Sequence, residues 1–262
     1  MIVASWNVNS ITARLPHVIG FLETVSPDFL CLQELKCVEE KFPLAIMNQL
    51  GYGALVSGEK TYNGVAVLYK KKWLGDRSVE LVSRSLPGCP EPIQARLIEV
   101  RLEDYHLLNL YVPNGSEVGS AKYQYKMLWF EALLKYINDS HRPTDKLIVV
   151  GDFNIAPEDL DVHDPALWEG QVLVSPAERE LFKRLCDFPL LDSFRLFEKE
   201  GGFYSWWDYR MMAFPRNNGL RIDHILITRP LQEVLKRSWI DKEWRKLEKT
   251  SDHTPVLIEL AD

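Results

Sequence analysis

Two β-sheets packed on one another and covered by outer helices are what this 262-residue sequence predicts. Several short apolar or alternating runs read as strands, and helical stretches interrupt them irregularly. The order is therefore neither a strict βαβ repeat nor all-β, and a layered α/β sandwich buries both kinds of apolar face. A second observation is positional: polar residues recur where apolar runs end, Asn7 after the first, Glu34 after the second and Asp152 after a later one. No repeat of fixed period is visible, although both halves share this weak echo.

The elements follow in order. Residues 2–6 read as a strand that ends in Asn7 and Asn9, and the Asn9, Ser10 step also suits a plain turn. Leu15, Val18, Ile19 and Leu22 lie at helical spacing within residues 15–25, and Ser26 and Pro27 close that helix. Phe29, Leu30, Cys31 and Leu32 form a short buried strand that delivers Gln33 and Glu34. Residues 43–50 look helical and stop at Gly51. Residues 64–69, 94–101 and 106–112 carry the alternation or β-branched content of strands. The last ends in Tyr111, Val112, Pro113, Asn114 and Gly115, where proline and glycine open a loop. Residues 121–139 make the strongest helix, with Met127, Phe130, Leu134 and Ile137 as its core stripe.

The central stretch is Leu147, Ile148, Val149, Val150, Gly151, Asp152, Phe153, Asn154. Its first four residues read as a strand buried on both faces, a rigid mount for the polar pair at its end. In extended backbone residues two apart point to one side, so Asp152 and Asn154 are expected to address one ligand together. An aspartate here also suits capping of the following turn.

Residues 157–174 are expected to be irregular, and Asp159, Asp161, His163 and Asp164 to form a solvated loop, because their spacing does not fit an EF-hand. Residues 176–186 are helical. Aromatic residues then concentrate in 203–209, including Trp206 and Trp207, and lead to Arg210, Met211, Met212 and onward to Gly219. Apolar and cationic side chains on one exposed loop suit contact with stacked bases and phosphates. Residues 220–227 read as a strand in which Arg221 and Asp223 share a face. Asp252 and His253 are adjacent, so both can face one site only from a turn, before a final strand at residues 256–260.

Composition narrows the function classes. Lys plus Arg number 31 against 37 for Asp plus Glu, a net charge of -6. That balance argues against a simple electrostatic nucleic-acid binder. It allows carboxylates clustered around a divalent cation, with basic residues kept to one face. Cys31, Cys37, Cys89 and Cys186 show no CxxC pair and read as free thiols in a reducing compartment. No secretory signal pattern and no apolar run of roughly 20 residues is visible. The expectation is a soluble, cytoplasmic protein with one domain over residues 1–262, since nothing marks a linker.

Taken together, Trp6, Asn7, Val8, Asn9; Gln33, Glu34; Tyr111, Val112, Pro113; Gly151, Asp152, Phe153, Asn154; Leu220, Arg221, Ile222, Asp223; and Ser251, Asp252, His253 resemble the motif set of the exonuclease III-type apurinic/apyrimidinic endonucleases, a branch of the endonuclease/exonuclease/phosphatase superfamily. The resemblance runs from first strand to last, in family order. It implies a four-layer α/β sandwich whose two mainly antiparallel sheets pack face to face with helices outside. It also implies Mg²⁺, with Mn²⁺ as a substitute, and a monomer acting on duplex DNA with abasic sites or blocked 3′ ends. The implied reaction is hydrolysis of the phosphodiester 5′ to an abasic site, with 3′-phosphatase or phosphodiesterase and variable 3′ to 5′ exonuclease activity.

By the same resemblance Glu34 is the leading metal ligand, helped by Asn7 and Asp252, with Asp152 and Asn154 completing the metal-binding set. Asp152 would take a proton from water that Asn154 orients. His253, held by Asp223, would bind phosphate or act as acid/base, and Tyr111 would donate to a phosphate oxygen or polarise the nucleophile. Asn9, Asn114, Trp206, Arg210 and Leu220 are the expected substrate contacts. One departure is Glu117, where some relatives carry a basic residue that pushes into the duplex; Arg210 is then the expected inserting side chain. Two other readings stay open on the residues: a phosphatase or phosphodiesterase of the same fold on another phosphate ester, and a non-catalytic DNA-binding module.

Overall fold

The computed structural model describes residues 1–261. Its strands are β1 (Ile2–Asn7), β2 (Phe29–Gln33), β3 (Tyr52–Ser57), β4 (Val65–Lys70), β5 (Glu80–Ser83), β6 (Leu97–Leu102), β7 (Tyr105–Tyr111), β8 (Lys146–Asp152), β9 (Leu190–Asp192), β10 (Asp223–Thr228), β11 (Leu235–Ile240) and β12 (Val256–Leu260). The helices are α1 (Ile11–Thr24), α2 (Leu44–Gln49), α3 (Lys71–Leu74), α4 (Ala121–Ser140), α5 (Pro165–Trp168), α6 (Pro176–Cys186), α7 (Ser193–Phe197) and α8 (Arg229–Gln232). No described helix is long and apolar enough to cross a membrane.

Two six-stranded sheets result, ordered β11-β12-β1-β2-β4-β3 and β5-β6-β7-β8-β10-β9. Each is antiparallel except for one central parallel pair, β1 with β2 and β7 with β8. The run at the start of β8 explains the sandwich: Ile148 and Val150 face the other sheet beside Val3, Cys31, Val65 and Val67. Leu147 and Val149 face outward against Phe130, Leu133 and Ile137 of α4 and Leu181 and Leu185 of α6. On the far side Val18, Phe21 and Leu22 of α1 cover Trp6, Leu30 and Leu32. Four layers follow, α/β/β/α, because the central strands have no face left for water.

Local signals set the helix ends. The Ser10 side chain accepts from Ala13 N–H, so α1 starts at Ile11, ahead of the apolar spacing that marks it in sequence. A capping box of Ser175 and Glu178, with Pro176 in the first turn, opens α6. Cys31 and Cys37 are buried free thiols, while Cys89 and Cys186 are half-buried.

The strands that the pattern does not predict are β3, β5, β9 and β11, and all four are sheet edges. Edge strands bury less of their surface and carry polar residues that break the alternation. The 157–174 stretch is also less solvated than its composition suggests. Asp161 is fully buried and ion-paired with Arg221 (Oδ1 to Nε 2.6 Å) and Arg195 (Oδ1 to Nη2 2.5 Å).

A polar tie crosses the apolar layer between the sheets. Gln33 Nε2 of β2 donates to Asn109 Oδ1 of β7 at 2.7 Å, and Asn109 Nδ2 donates back to the carbonyls of Leu32 and Ala66 at 3.0 and 2.9 Å.

Candidate active site

The two central parallel pairs bring the ends of β1, β2, β7 and β8 to one edge of the sandwich. Asn7 stands opposite Gln33, and Tyr111 opposite Asp152. Antiparallel β10 starts there too, with Asp223 in register with Asp152. The turn before β12 adds His253. Residues far apart in sequence meet because each is the polar stop of a buried strand.

Asn7 is the joint between the sheets. Its Nδ2 donates to Glu34 Oε1 at 2.8 Å and to Asp152 Oδ2 at 2.9 Å. Its Oδ1 accepts from Asn9 N–H at 3.0 Å, just as Asp152 Oδ1 accepts from Asn154 N–H at 2.9 Å. Both turns place an asparagine in the left-handed region, Asn9 at φ 46° and Asn154 at φ 50°, which asparagine tolerates better than most residues. Asp152 therefore caps the turn and faces the site at once. Asn154 leaves the strand direction, so the two side chains do not lie side by side on one extended face.

His253 Nδ1 lies 2.8 Å from Asp223 Oδ2, and its Nε2 lies 3.7 Å from Asp152 Oδ2. Burial disfavours the imidazolium, but the carboxylates of Asp223, Asp152 and Asp252 outweigh it and raise the His253 pKa to about 10. The ring is charged at neutral pH. The Asp152 pKa is raised too, but here burial wins: with Asp223 and Glu34 adding, it lifts the carboxyl to about 7 against the pull of His253 and Asn7. Burial also keeps the Tyr111 hydroxyl protonated, helped by the charges of Glu34 and Asp152, so it can act as a donor. Glu34 is shifted down: burial opposes ionisation, but Lys36, Asn7 and His253 overcome it.

Glu34, Asp152 and His253 bring one ligand atom each within 4.8 Å of one another. With His253 protonated, the available donors are the carboxylates of Glu34 and Asp152, an oxygen set that fits a hard divalent cation. Asn7 presents its NH₂ to both carboxylates and serves them as an orienting donor. Asp252 stands apart, its oxygens taken by Asn9 Nδ2 (2.9 Å) and Trp206 Nε1 (3.0 Å). Asn154 donates to the Val112 carbonyl and accepts from Asn114 Nδ2, both at 3.0 Å.

Trp206 sits half-buried on a cluster of Ala156, Val162, Leu173 and Leu220. Leu220 is itself fully buried behind it and exchanges backbone hydrogen bonds with it at 3.0 Å. Arg210 is exposed on the loop after Trp207 and ion-paired to Asp208 at 2.6 Å, and Met211 and Met212 beside it are exposed at 80% and 63%. Arg221 is the misread position. It precedes the regular strand, turns away from Asp223, and lies buried between Asp161, Asp192 and His224.

Two lysines belong to the site that motif reading passes over. Lys36 Nζ bridges Glu34 Oε2 (2.9 Å) and Asn9 Oδ1 (2.5 Å), and no spacing marks it except its place two residues past Glu34. Lys126 is fully buried, pairs with Glu178, and donates to the Asn154 carbonyl at 2.6 Å and the Asn114 carbonyl at 3.2 Å. It pins the loop that carries Asn154. A signal exists in its case, since Lys126 falls three and four residues before Trp129 and Phe130 on the buried face of α4.

The profile of the Endonuclease/Exonuclease/phosphatase family matches residues 4–253, and the chain belongs to that family. It is 35% identical to the exodeoxyribonuclease III of Haemophilus influenzae, over 97% of this chain and 98% of that one. It is 30% identical to the DNA repair nuclease APEX1 of Danio rerio, over 100% and 82%. Among solved structures, the 3′ phosphatase NExo from Neisseria bound to a product DNA hairpin superposes with a TM-score of 0.92 at 41% identity, covering all of both chains. An AP endonuclease from Archaeoglobus fulgidus gives 0.92 at 35%, covering 99% of each. The chain is thus a hydrolytic nuclease of this family.

Proposed function

We propose that this DNA-repair nuclease hydrolyses the phosphodiester 5′ to abasic sites in duplex DNA, and that it also removes 3′-phosphate and other 3′ blocks and digests 3′ ends to a variable degree. The observation that carries the reading is the Asn7 bridge, which holds Glu34 and Asp152 together beside the Asp223–His253 pair. Glu34 and Asp152 would hold Mg²⁺, for which Mn²⁺ substitutes; when bound, the cation neutralises phosphate charge and acidifies water.

The chain's own groups divide the remaining work. The His253 imidazolium and the Tyr111 hydroxyl donate to phosphate oxygens and compensate the charge that develops there. Asp152, the carboxylate whose pKa burial raises, accepts the proton of the attacking water. Asn154, whose second amide hydrogen is uncommitted, orients that water. Asn9 and Asn114 line the strand path on either side, Leu220 backs Trp206 against the sugar, and Arg210 with Met211 and Met212 enters the gap that a missing base leaves. The whole chain works as one domain, as a monomer, in the cytoplasm.

The test uses three duplexes: one with a central abasic analogue, one with a 3′-phosphate and one with a recessed end, each with Mg²⁺ and with EDTA. Cleavage 5′ to the abasic analogue, dependent on Mg²⁺, is expected, together with phosphate release. An intact abasic duplex under Mg²⁺, or unchanged cleavage under EDTA, would overturn the assignment.

A further inference from the structure

A second cluster of ligating side chains lies at the opposite end of β7 from the active site. Glu99 of β6 and His106 of β7 project from the outer face of their sheet, diagonal neighbours across the pair. His141, which caps the C-terminus of α4, closes over them. Five residues of strand separate His106 from Tyr111, roughly 17 Å at about 3.3 Å per residue, so the cluster takes no part in the chemistry above.

The geometry is that of a ligand set. One donor atom from each of the three side chains falls within 4.8 Å of the other two. Glu99 Oε1 lies 2.8 Å from His106 Nδ1 and 3.4 Å from His141 Nε2. Metal–ligand bonds of about 2.0–2.2 Å at tetrahedral angles set neighbouring donors roughly 3.3 Å apart, between those two values. The His141 side chain is 2% exposed, and neither ring nitrogen makes a hydrogen bond among the described residues. A buried imidazole whose nearest polar contact is a carboxylate oxygen at 3.4 Å, outside hydrogen-bonding geometry, costs free energy unless something else satisfies it. The other oxygen of Glu99 accepts from the Tyr136 hydroxyl, which fixes the carboxylate as outer partners fix metal ligands. His106 is 24% exposed at its side chain and leaves an approach from solvent.

We propose that Glu99, His106 and His141 form a Zn²⁺ site that fastens the C-terminal end of α4 to strands β6 and β7. Two imidazoles and one carboxylate suit Zn²⁺ in tetrahedral geometry with water as fourth ligand, whereas the oxygen pair of the active site suits a hard cation.

The experiment is calorimetric titration of the chelator-treated protein with Zn²⁺ under saturating Mg²⁺, repeated on His106→Gln, His141→Gln, Tyr136→Phe and Glu34→Gln. The wild type is expected to bind one equivalent, with loss of binding in both histidine variants, roughly 10–100-fold weakening in Tyr136→Phe and no change in Glu34→Gln. Zn²⁺ should also raise the Tm of the wild type and of Glu34→Gln, and leave the histidine variants unmoved. Should His141→Gln fail to fold, the partly exposed His106 carries the test. Absence of Zn²⁺ binding to the wild type, or equal binding by His106→Gln, would overturn the proposal.

Discussion

Asn7 at the end of β1 hydrogen-bonds Asp152 at the end of β8 across 2.9 Å, and so links the two sheets at the point where the carboxylates gather. The same amide holds Glu34 at 2.8 Å. One neutral side chain thereby keeps two negative groups near each other before any cation arrives.

Replacing either carboxylate should stop cleavage without unfolding the protein. Glu34→Ala removes a metal ligand and Asp152→Asn removes the base, and losses of this kind cost roughly 10² or more in rate. Both sit at strand ends, outside the apolar layers. Circular dichroism should match the wild type while kcat on an abasic duplex collapses; near-normal turnover by either folded variant would reject its role.

The pH profile should show two limbs with different owners. Activity rises as Asp152 ionises, below its metal-free value of about 7 once Mg²⁺ is bound, and falls on the alkaline side as His253, whose pKa the surrounding carboxylates raise, loses its proton. Asp223→Asn removes the carboxylate that favours the imidazolium, so the His253 pKa drops and the alkaline fall moves to lower pH. NMR titration of the His253 ring in both proteins checks the shift, and an unmoved pKa would show that the pair carries no coupling.

Lesion selectivity should reside in the loop after Trp206. Arg210→Ala is expected to reduce kcat/KM on an abasic duplex more than on a 3′-phosphate at a frayed end, where little unstacking is needed. Trp206→Ala should reduce both rate and discrimination against an intact nucleotide. Equal losses on the two substrates for Arg210→Ala would mean that the loop grips DNA without reading the lesion.

The Lys126–Glu178 pair should be costly to break from one side. Lys126→Met leaves the buried Glu178 carboxylate without its cation and is expected to lower stability by about 3–5 kcal/mol, whereas the double change Lys126→Met with Glu178→Gln, which removes the charge and keeps an oxygen for the α6 cap, should recover part of it. Urea unfolding of the three proteins measures this. A single variant as stable as the wild type would show that the charge is not confined.

Much of the site was legible because β1, β2 and β8 are buried on both faces and so leave unbroken apolar runs whose polar stops stand out. The edge strands β3, β5, β9 and β11 were not, since a half-covered strand needs no strict pattern. Arg221 was misread for a local reason: regular pairing of β10 begins only at Asp223, and two residues earlier the alternation rule has no sheet to act on. Asp161 looked solvated because its neighbours in sequence are polar, while its partners Arg195 and Arg221 come from distant segments. Lys36 shows the limit of spacing arguments, as nothing short of the folded turn brings its ammonium onto Glu34 and Asn9.

The Gln33–Asn109 tie bears on how accurately the two halves of the site can be aligned. Apolar layers resist separation but barely resist sliding, because dispersion contacts have no preferred direction. A directional bond buried between the sheets works as a detent: it selects one lateral offset from many of similar packing energy. Since Glu34 follows Gln33 directly in the chain, the same detent indexes one carboxylate against the other. Sensitivity to substitution should therefore fall off with distance from this pin along the strands as much as with distance from the reacting atoms.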